Sequence, residues 1–219
     1  MWSSEVTNMI ITGIWETLYM TLVSTLVGYV IGLPMGIILT VSDKDGIKPN
    51  AVLYKVLDVI ANIVRSVPFI ILLVLLIPFT RLVVGKSYGS TATIVPLVIA
   101  AAPYIARMVE SSLKEVDAGV IEAARSMGAS NFTIITKVML VEARTSLLVG
   151  ATITLGTILG YSAMSGAVGG GGLGAIAIRY GYTRWQTDIM IVTVILLIIL
   201  FQIFQTVGMK LADKFDHRK

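Results

Sequence analysis

Residues 122–144 read Glu-Ala-Ala-Arg-Ser-Met-Gly-Ala-Ser-Asn-Phe-Thr-Ile-Ile-Thr-Lys-Val-Met-Leu-Val-Glu-Ala-Arg, a polar, charge-punctuated stretch in the middle of a very apolar chain. Its turn chemistry predicts a helix, a tight reversal and a second helix. Asp117 is placed to cap a helix over about 118–127, because its carboxylate can accept from the unpaired N–H groups of the first turn. Gly128 suits the left-handed residue that ends a helix. Ser130 then caps a second helix over 131–140. Val120, Ala124 and Met127, spaced four and three apart, share one face of the first helix. An apolar ridge on so short a helix needs a socket. The plainer alternative is an amphipathic helix lying on a bilayer surface. Against it, the segment from Asp117 to Lys137 holds only two basic residues, Arg125 and Lys137, and Gly128 is set to turn it.

On either side of this stretch the composition is that of a membrane protein. The 219 residues are 56% hydrophobic and 14% charged, with a mean hydropathy of +0.87, too apolar for a soluble domain. A net charge of +4 would suggest nucleic acid in a polar protein. Here the basic residues sit between apolar runs, where they set topology, so no nucleic-acid partner is expected. The absence of cysteine excludes a disulfide scaffold and a thiolate metal site. The start, Met-Trp-Ser-Ser-Glu, lacks a basic n-region, which argues against a cleaved signal peptide.

Five apolar segments, at roughly 17–41, 56–79, 91–108, 146–163 and 187–207, are each long enough to cross a bilayer, which takes ~20 residues. Thirteen of the lysines and arginines fall between 42 and 55, at Arg65, between 107 and 144, and in the tail from Lys210. The other side has four: Arg81, Lys86, Arg179 and Arg184. The positive-inside rule places the thirteen in the cytoplasm. The amino terminus is then outside and the carboxyl terminus inside, as an odd number of spans requires. The expectation is an all-α polytopic protein of five spans, one transmembrane domain over 1–219 with a cytoplasmic loop at about 113–144.

The spans carry packing and bending signals. Gly28, Gly32 and Gly36 form a tandem G-x-x-x-G, and Gly156 and Gly160 another. Such spacing brings helix backbones close, within or between subunits. Pro34, Pro68, Pro78, Pro96 and Pro103 should kink the spans that hold them.

Two polar stripes bear on a transport path. Lys55, Asp58, Asn62 and Arg65 share one face at the start of the second span. The plainer reading is a solvated extension of the helix; the sharper one has Arg65 and Ser66 open the path, since charge within a membrane defaults to function. Gly150, Thr154, Thr157, Tyr161 and Met164 share a face of the fourth span. Small-residue packing explains that face equally well. Met164 favours a gate, because a thioether set among small residues adapts its shape to plug an opening.

The glycine run is no nucleotide site. Gly169, Gly171 and Gly174 fit G-x-G-x-x-G, yet no strand precedes them, no acidic residue follows at the ribose distance, and no Lys-Ser/Thr completes a phosphate loop. A flexible outer turn between spans four and five is expected. Glu16, Glu110 and Asp188 lie near span ends rather than as an inward-facing pair, and the lone His217 sits in a basic tail. Neither a catalytic constellation nor a metal cluster is present in the sequence pattern.

Four stretches together carry a resemblance: Glu-Ala-Ala-x-x-x-Gly at 122–128, Arg-Ser-Val-Pro-Phe-Ile at 65–70, Ala-Pro-Tyr-Ile-Ala-Arg at 102–107, and Tyr-Ser-Ala-Met-Ser-Gly-Ala-Val-Gly-Gly-Gly-Gly-Leu-Gly at 161–174. The chain resembles the methionine-import ABC permeases, from Gly13 to its tail. One departure is visible: the family's loop usually closes on Leu-Pro, whereas Leu140 is followed here by Val141, which weakens a helix stop. The resemblance implies a type I importer permease fold in the bacterial inner membrane, working as a homodimer. It further implies two ATPase subunits, which bind the ATP and magnesium, and an extracytoplasmic binding lipoprotein that delivers substrate. No cofactor and no enzymatic activity are expected in this chain. Val120, Glu122, Ala123, Ala124, Met127, Gly128 and Phe132 would meet the ATPase; Arg65, Ser66, Thr157, Tyr161 and Met164 would line or gate the path. Glycine-betaine and other amino-acid permeases share the loop and stay open as alternatives. An ion-coupled secondary transporter would need inward carboxylates or matched broken half-helices, and neither is evident in the sequence.

Overall fold

The computed structural model describes residues 4–215. His217, Arg218 and Lys219, and the first three residues, lie outside the described residues. Among the described residues every regular element is helical.

The first helix, α1 (Ser4–Ser42), is 39 residues long and contains Pro34 without a break. The sequence signal for a second span resolves into three pieces. α2 (Ala51–Ser66) is capped by the Asn50 side chain, which accepts from the Leu53 N–H at 3.0 Å. It ends because Pro68 disfavours helical geometry at Val67, which is extended (φ −83°, ψ 125°). α3 (Phe69–Leu75) leaves at 101° to α2. α4 (Ile77–Val84), with Pro78 in its first turn, stops at the left-handed Gly85 (φ 80°). The kink expected at Pro68 within the 56–79 segment is a full break, with the crossing turning by 101° there. α5 (Ser90–Lys114) runs through both Pro96 and Pro103, so Pro68 is where a proline breaks a span.

Among the described residues four helices are long and apolar enough to cross a bilayer, and the bent α2–α3 pair makes five if it counts as one crossing. Beyond α5 come α6 (Ala118–Ser126) and α7 (Asn131–Thr133). The latter continues as a π-helical stretch (Ile134–Met139) into α8 (Leu140–Glu142), and α9 (Arg144–Ser165) follows after Ala143. With Val141 where a proline would stop it, the second loop helix does not end at 140; it feeds almost directly into α9. α10 (Gly172–Ile176) and a second π-helical stretch (Ala177–Tyr182) lead to α11 (Thr187–Lys214).

The core is the seam between α1 and α5. A Cβ on Gly32 would sit 2.6 Å from the Ala102 carbonyl oxygen, and one on Gly36 the same distance from that of Ala106. The tandem glycine motif therefore packs within the subunit, backbone against backbone. Met20, Leu97, Ile105 and Val109 fill the seam, and the same cluster extends to Ala124, Ile134 and Met139 of the loop. The loop is anchored in the core rather than hung from it. On α9, Gly156 opposes the Phe201 ring of α11, 2.6 Å from the position of a Cβ, whereas Gly160 meets nothing within 4 Å. Thr17, Thr25 and Thr40 donate to carbonyls four residues back (2.7–3.0 Å), which keeps hydroxyls satisfied where no water reaches. The outward face of α11, including Ile191, Ile195, Ile198 and Ile199, is exposed and apolar, as a lipid-facing surface requires.

The glycine run is not a flexible turn. A 3-10 turn (Gly166–Val168) is followed by left-handed Gly169, Gly171 and Gly172. The Glu16 carboxylate of α1 then accepts from the Gly172 N–H at 2.7 Å, and Thr17 Oγ1 from the Leu173 N–H at 2.9 Å. The Gly89 N–H donates to the Gly169 carbonyl, and Thr93 Oγ1 to that of Gly170. Gly174 is buried against the backbone of Ala163, with no room for a side chain. The glycines allow close approach, so the segment is pinned on three helices.

Candidate coupling site and pathway

The loop residues form the site best defined by local chemistry. Asp117 Oδ1 accepts from the Gly119 N–H at 2.7 Å and starts α6. At the other end the Ala129 N–H donates to the Ala124 carbonyl (3.1 Å), and the Gly128 N–H to that of Arg125 (3.0 Å). With Gly128 at φ 80°, this is the paired closure of a Schellman motif. Ser130 Oγ caps the next helix by accepting from the Thr133 N–H at 3.2 Å.

These caps fix which side chains point outward. Met127 is 81% exposed and Phe132 75%, with Val120 also open; Glu122 and Ala123 are exposed beside them. Ala124 is the exception and corrects the expected ridge: it is 6% exposed and packs into the core with Ile134 and Met139. The apolar knob is formed by Val120, Met127 and Phe132 across the turn, with Ala124 as its foot. Large exposed apolar side chains around a tight turn, at the end of the molecule that carries the basic loops, are the kind of surface a partner protein covers. A cavity of about 360 Å³ lies on one side of α6, lined by Asp117, Val120, Glu142 and Thr145. Another of about 500 Å³ lies on the other, lined by Asp43, Ile47, Glu122 and Arg125. Arg125 donates to the Ile47 carbonyl at 2.7 Å and ties α6 to the loop after α1.

Of the path candidates, Arg65 and Ser66 are exposed at the end of α2, and Ser66 Oγ donates to the Asn62 carbonyl at 2.7 Å. The stripe on α9 turns as it rises. Gly150 and Thr154 face the core, Thr157 and Tyr161 are half-buried, and Met164 is 52% exposed. The structure brings Tyr161 onto Phe69, four residues beyond Arg65, in a parallel stack with centroids 4.4 Å apart. It thereby joins the segment after the bend to α9.

Sequence reading missed a charged cluster at the basic end of α5. Arg107 pairs with Asp58 of α2 and donates to Glu110 at 2.7 Å. Lys114 donates to Glu110 at 2.8 Å and to Asp43 at 2.6 Å. The hydrogen bond from Lys114 holds the Asp43 carboxyl below its ordinary range. The spacing of Arg107, Glu110 and Lys114 on one face was visible in the sequence; their partners on α2 were not. On the α2 stripe Lys55, Asn62 and Arg65 are exposed, as a solvated extension has them, while half-buried Asp58 and the Asn62 side chain also meet Arg107. Among the described residues no group of His, Cys, Asp and Glu is arranged to hold a metal ion.

Comparison with known proteins is consistent with this arrangement. Residues 28–218 match the family model described as "Binding-protein-dependent transport system inner membrane component". A probable D-methionine transport system permease protein MetI of Vibrio cholerae is 49% identical over 217 residues, 99% of this chain and 96% of that protein. The D-methionine transport system permease protein MetI of Escherichia coli is 52% identical over 158 residues, 72% of this chain and 73% of that one. Among solved structures, a chain of the inward-facing MetNI methionine ABC transporter superposes with a TM-score of 0.96. It is 49% identical, over 99% of this chain and 100% of that one. A chain of an amino acid ABC transporter shares the fold at a TM-score of 0.73 and 22% identity, covering 98% and 96%.

Proposed function

The chain belongs to the family of binding-protein-dependent transport system inner membrane components, and from that premise we propose that it is the permease subunit of an ATP-driven methionine importer. It is a multi-pass protein of the bacterial inner membrane. The observation that carries the reading is the rigid turn at Gly128, which holds Met127 and Phe132 outward at the basic end of the bundle. Two copies of the chain enclose the path, since one bundle of this size surrounds none. The open Gly160 and the exposed Met164 on α9 support a face turned towards that second copy. Two ATPase subunits bind ATP and magnesium and receive the Val120–Met127–Phe132 knob. An extracytoplasmic binding lipoprotein delivers the amino acid. The curated relatives named for D-methionine transport favour methionine over glycine betaine or another amino acid.

The mechanism follows from rigid parts. Closure of the ATPase pair displaces α6, and α6 moves with the loop after α1 through Arg125 and Ile47. α5 moves with that loop through Lys114 and Asp43. The α9 stripe then changes its distance from its copy, and Met164 opens or closes the path. The test is uptake of radiolabelled methionine into proteoliposomes holding the permease, its ATPase and its binding protein. ATP-dependent uptake competed by unlabelled methionine, and not by glycine betaine, is the expected result. Competition by glycine betaine alone overturns the substrate assignment.

A further inference from the structure

The charged cluster at the basic end of α5 has a geometry that neither stability nor topology explains. Arg107 is one hub. Its Nη1 donates to Glu110 Oε2 at 2.7 Å, and its Nη2 pairs with the Asp58 carboxylate and donates to Asn62 Oδ1 at 3.0 Å. Glu110, 6% exposed at its side chain, is the other hub, accepting from Lys114 at 2.8 Å and from the Tyr54 hydroxyl at 3.3 Å. Asp58 and Tyr54 belong to α2, Arg107, Glu110 and Lys114 to α5, and Asp43 to the loop between α1 and α2. Such a cluster is a poor way to stabilise a fold, because desolvating the charges offsets most of their attraction. Removing one partner is costly all the same, so the cluster fixes one relative placement of the helices that hold it.

Its position in the chain gives that placement a consequence. α2 leads from Asp58 and Asn62 through Ser66 to the Pro68 bend and the Phe69 ring stacked on Tyr161. α5 leads within three residues of Lys114 to the Asp117 cap of the coupling helix. Arg107 thus stands between the surface where force arrives and the helix that carries the path candidates. The chain superposes at a TM-score of 0.97 on a chain of the MetNI transporter in an inward-facing conformation.

We propose that Arg107 is a positioning residue for transport, whose bonds to Asp58 and Asn62 clasp α2 to α5 in the inward-facing arrangement and must be given up for the outward-facing one. The proposal rests on the permease reading above. A clasp present in one state biases the equilibrium by its differential strength. Weakening it lowers the cost of reaching the closed-ATPase state and lets hydrolysis run without substrate.

The test uses the full permease–ATPase complex in proteoliposomes with Asp58→Asn, Asp58→Glu and Asn62→Leu. Asn62→Leu removes an acceptor from Arg107 and a donor to Asp58 but leaves the Arg107–Asp58 charge pair in place, so it reports even if Asp58→Asn assembles poorly. The expected result for Asp58→Asn is basal ATP hydrolysis raised on the order of tenfold, as loss of a charged hydrogen bond allows, with substrate moved per ATP lowered. Asn62→Leu shifts both in the same direction by less, and Asp58→Glu returns them towards wild type. Spin labels at Lys55→Cys and Glu115→Cys, attached to the permease, which has no cysteine of its own, before it is assembled with the ATPase, should show a broadened α2–α5 distance in the Asp58→Asn background. Unchanged hydrolysis and an unchanged distance overturn the clasp. So does a fall of hydrolysis and uptake together that Asp58→Glu does not rescue, which is the signature of a folding role. A wild-type complex that takes up no methionine contradicts the functional reading instead, while basal hydrolysis and the label distance still judge the clasp.

Discussion

The Phe69 and Tyr161 rings lie parallel, 5° apart in plane and 4.4 Å between centroids, and they join the segment after the Pro68 bend to α9. An aromatic pair contributes about 0.5–1.5 kcal/mol beyond its buried area. Tyr161→Phe should keep both stability and uptake. Tyr161→Ala should lower the thermal unfolding midpoint of the detergent-solubilised permease and cut uptake more than the stability loss accounts for. Equal behaviour of the two variants in both measurements would remove the pair from the transport account.

Gly128 is at φ 80°, and a Cβ added there would meet nothing within 4 Å, so any substitution acts through backbone strain alone, roughly 1 kcal/mol or more. Gly128→Val should leave the permease inserted and folded, since the core is untouched, while the turn that presents Met127 and Phe132 is deformed. Recovery of the ATPase on affinity purification of the permease should fall severalfold. Full recovery with wild-type ATP hydrolysis would show that the turn's geometry does not matter for docking.

Two glycine motifs that look alike should behave differently. Gly32 faces the Ala102 carbonyl and Gly160 faces open space. Gly32→Val overpacks the α1–α5 seam, costing about 1–3 kcal/mol, and should reduce folded protein in the membrane fraction. Gly160→Leu should fold normally and lower the dimer fraction measured by light scattering in detergent. A fully dimeric Gly160→Leu would place the subunit contact elsewhere.

Met164 is half-exposed on a stripe whose lower members turn inward. Met164→Ala should raise substrate leak from loaded proteoliposomes, or basal ATP hydrolysis, without loss of assembly. Met164→Cys should crosslink to its own copy in at least one nucleotide state. Wild-type leak together with no crosslink in any state would leave Met164 with a packing role only.

What the sequence revealed and what it hid divide along physical lines. The coupling turn was legible because its signals are local: Asp117, Gly128 and Ser130 act on backbone groups within three residues of themselves. Periodicity placed Ala124 on the same face as Val120 and Met127, but could not say that Ile134 and Met139 would close over it. The bend at Pro68 was signalled, its 101° angle was not. The glycines at 169–174 suggested freedom, yet Glu16 and Thr17, some 156 residues earlier, hold their N–H groups. Arg107 and Asp58 are 49 residues apart; no local pattern joins them.

The most direct test of coupling through the loop is site-specific crosslinking, on a chain that contains no cysteine of its own. Met127→Cys and Phe132→Cys, each carrying a photoreactive label, should form adducts with the ATPase subunit in the active complex. Tyr88→Cys, exposed next to the pinned glycine segment, should form none. Adducts from Tyr88→Cys, or their absence from both loop positions in a complex that still hydrolyses ATP and imports methionine, would contradict the account.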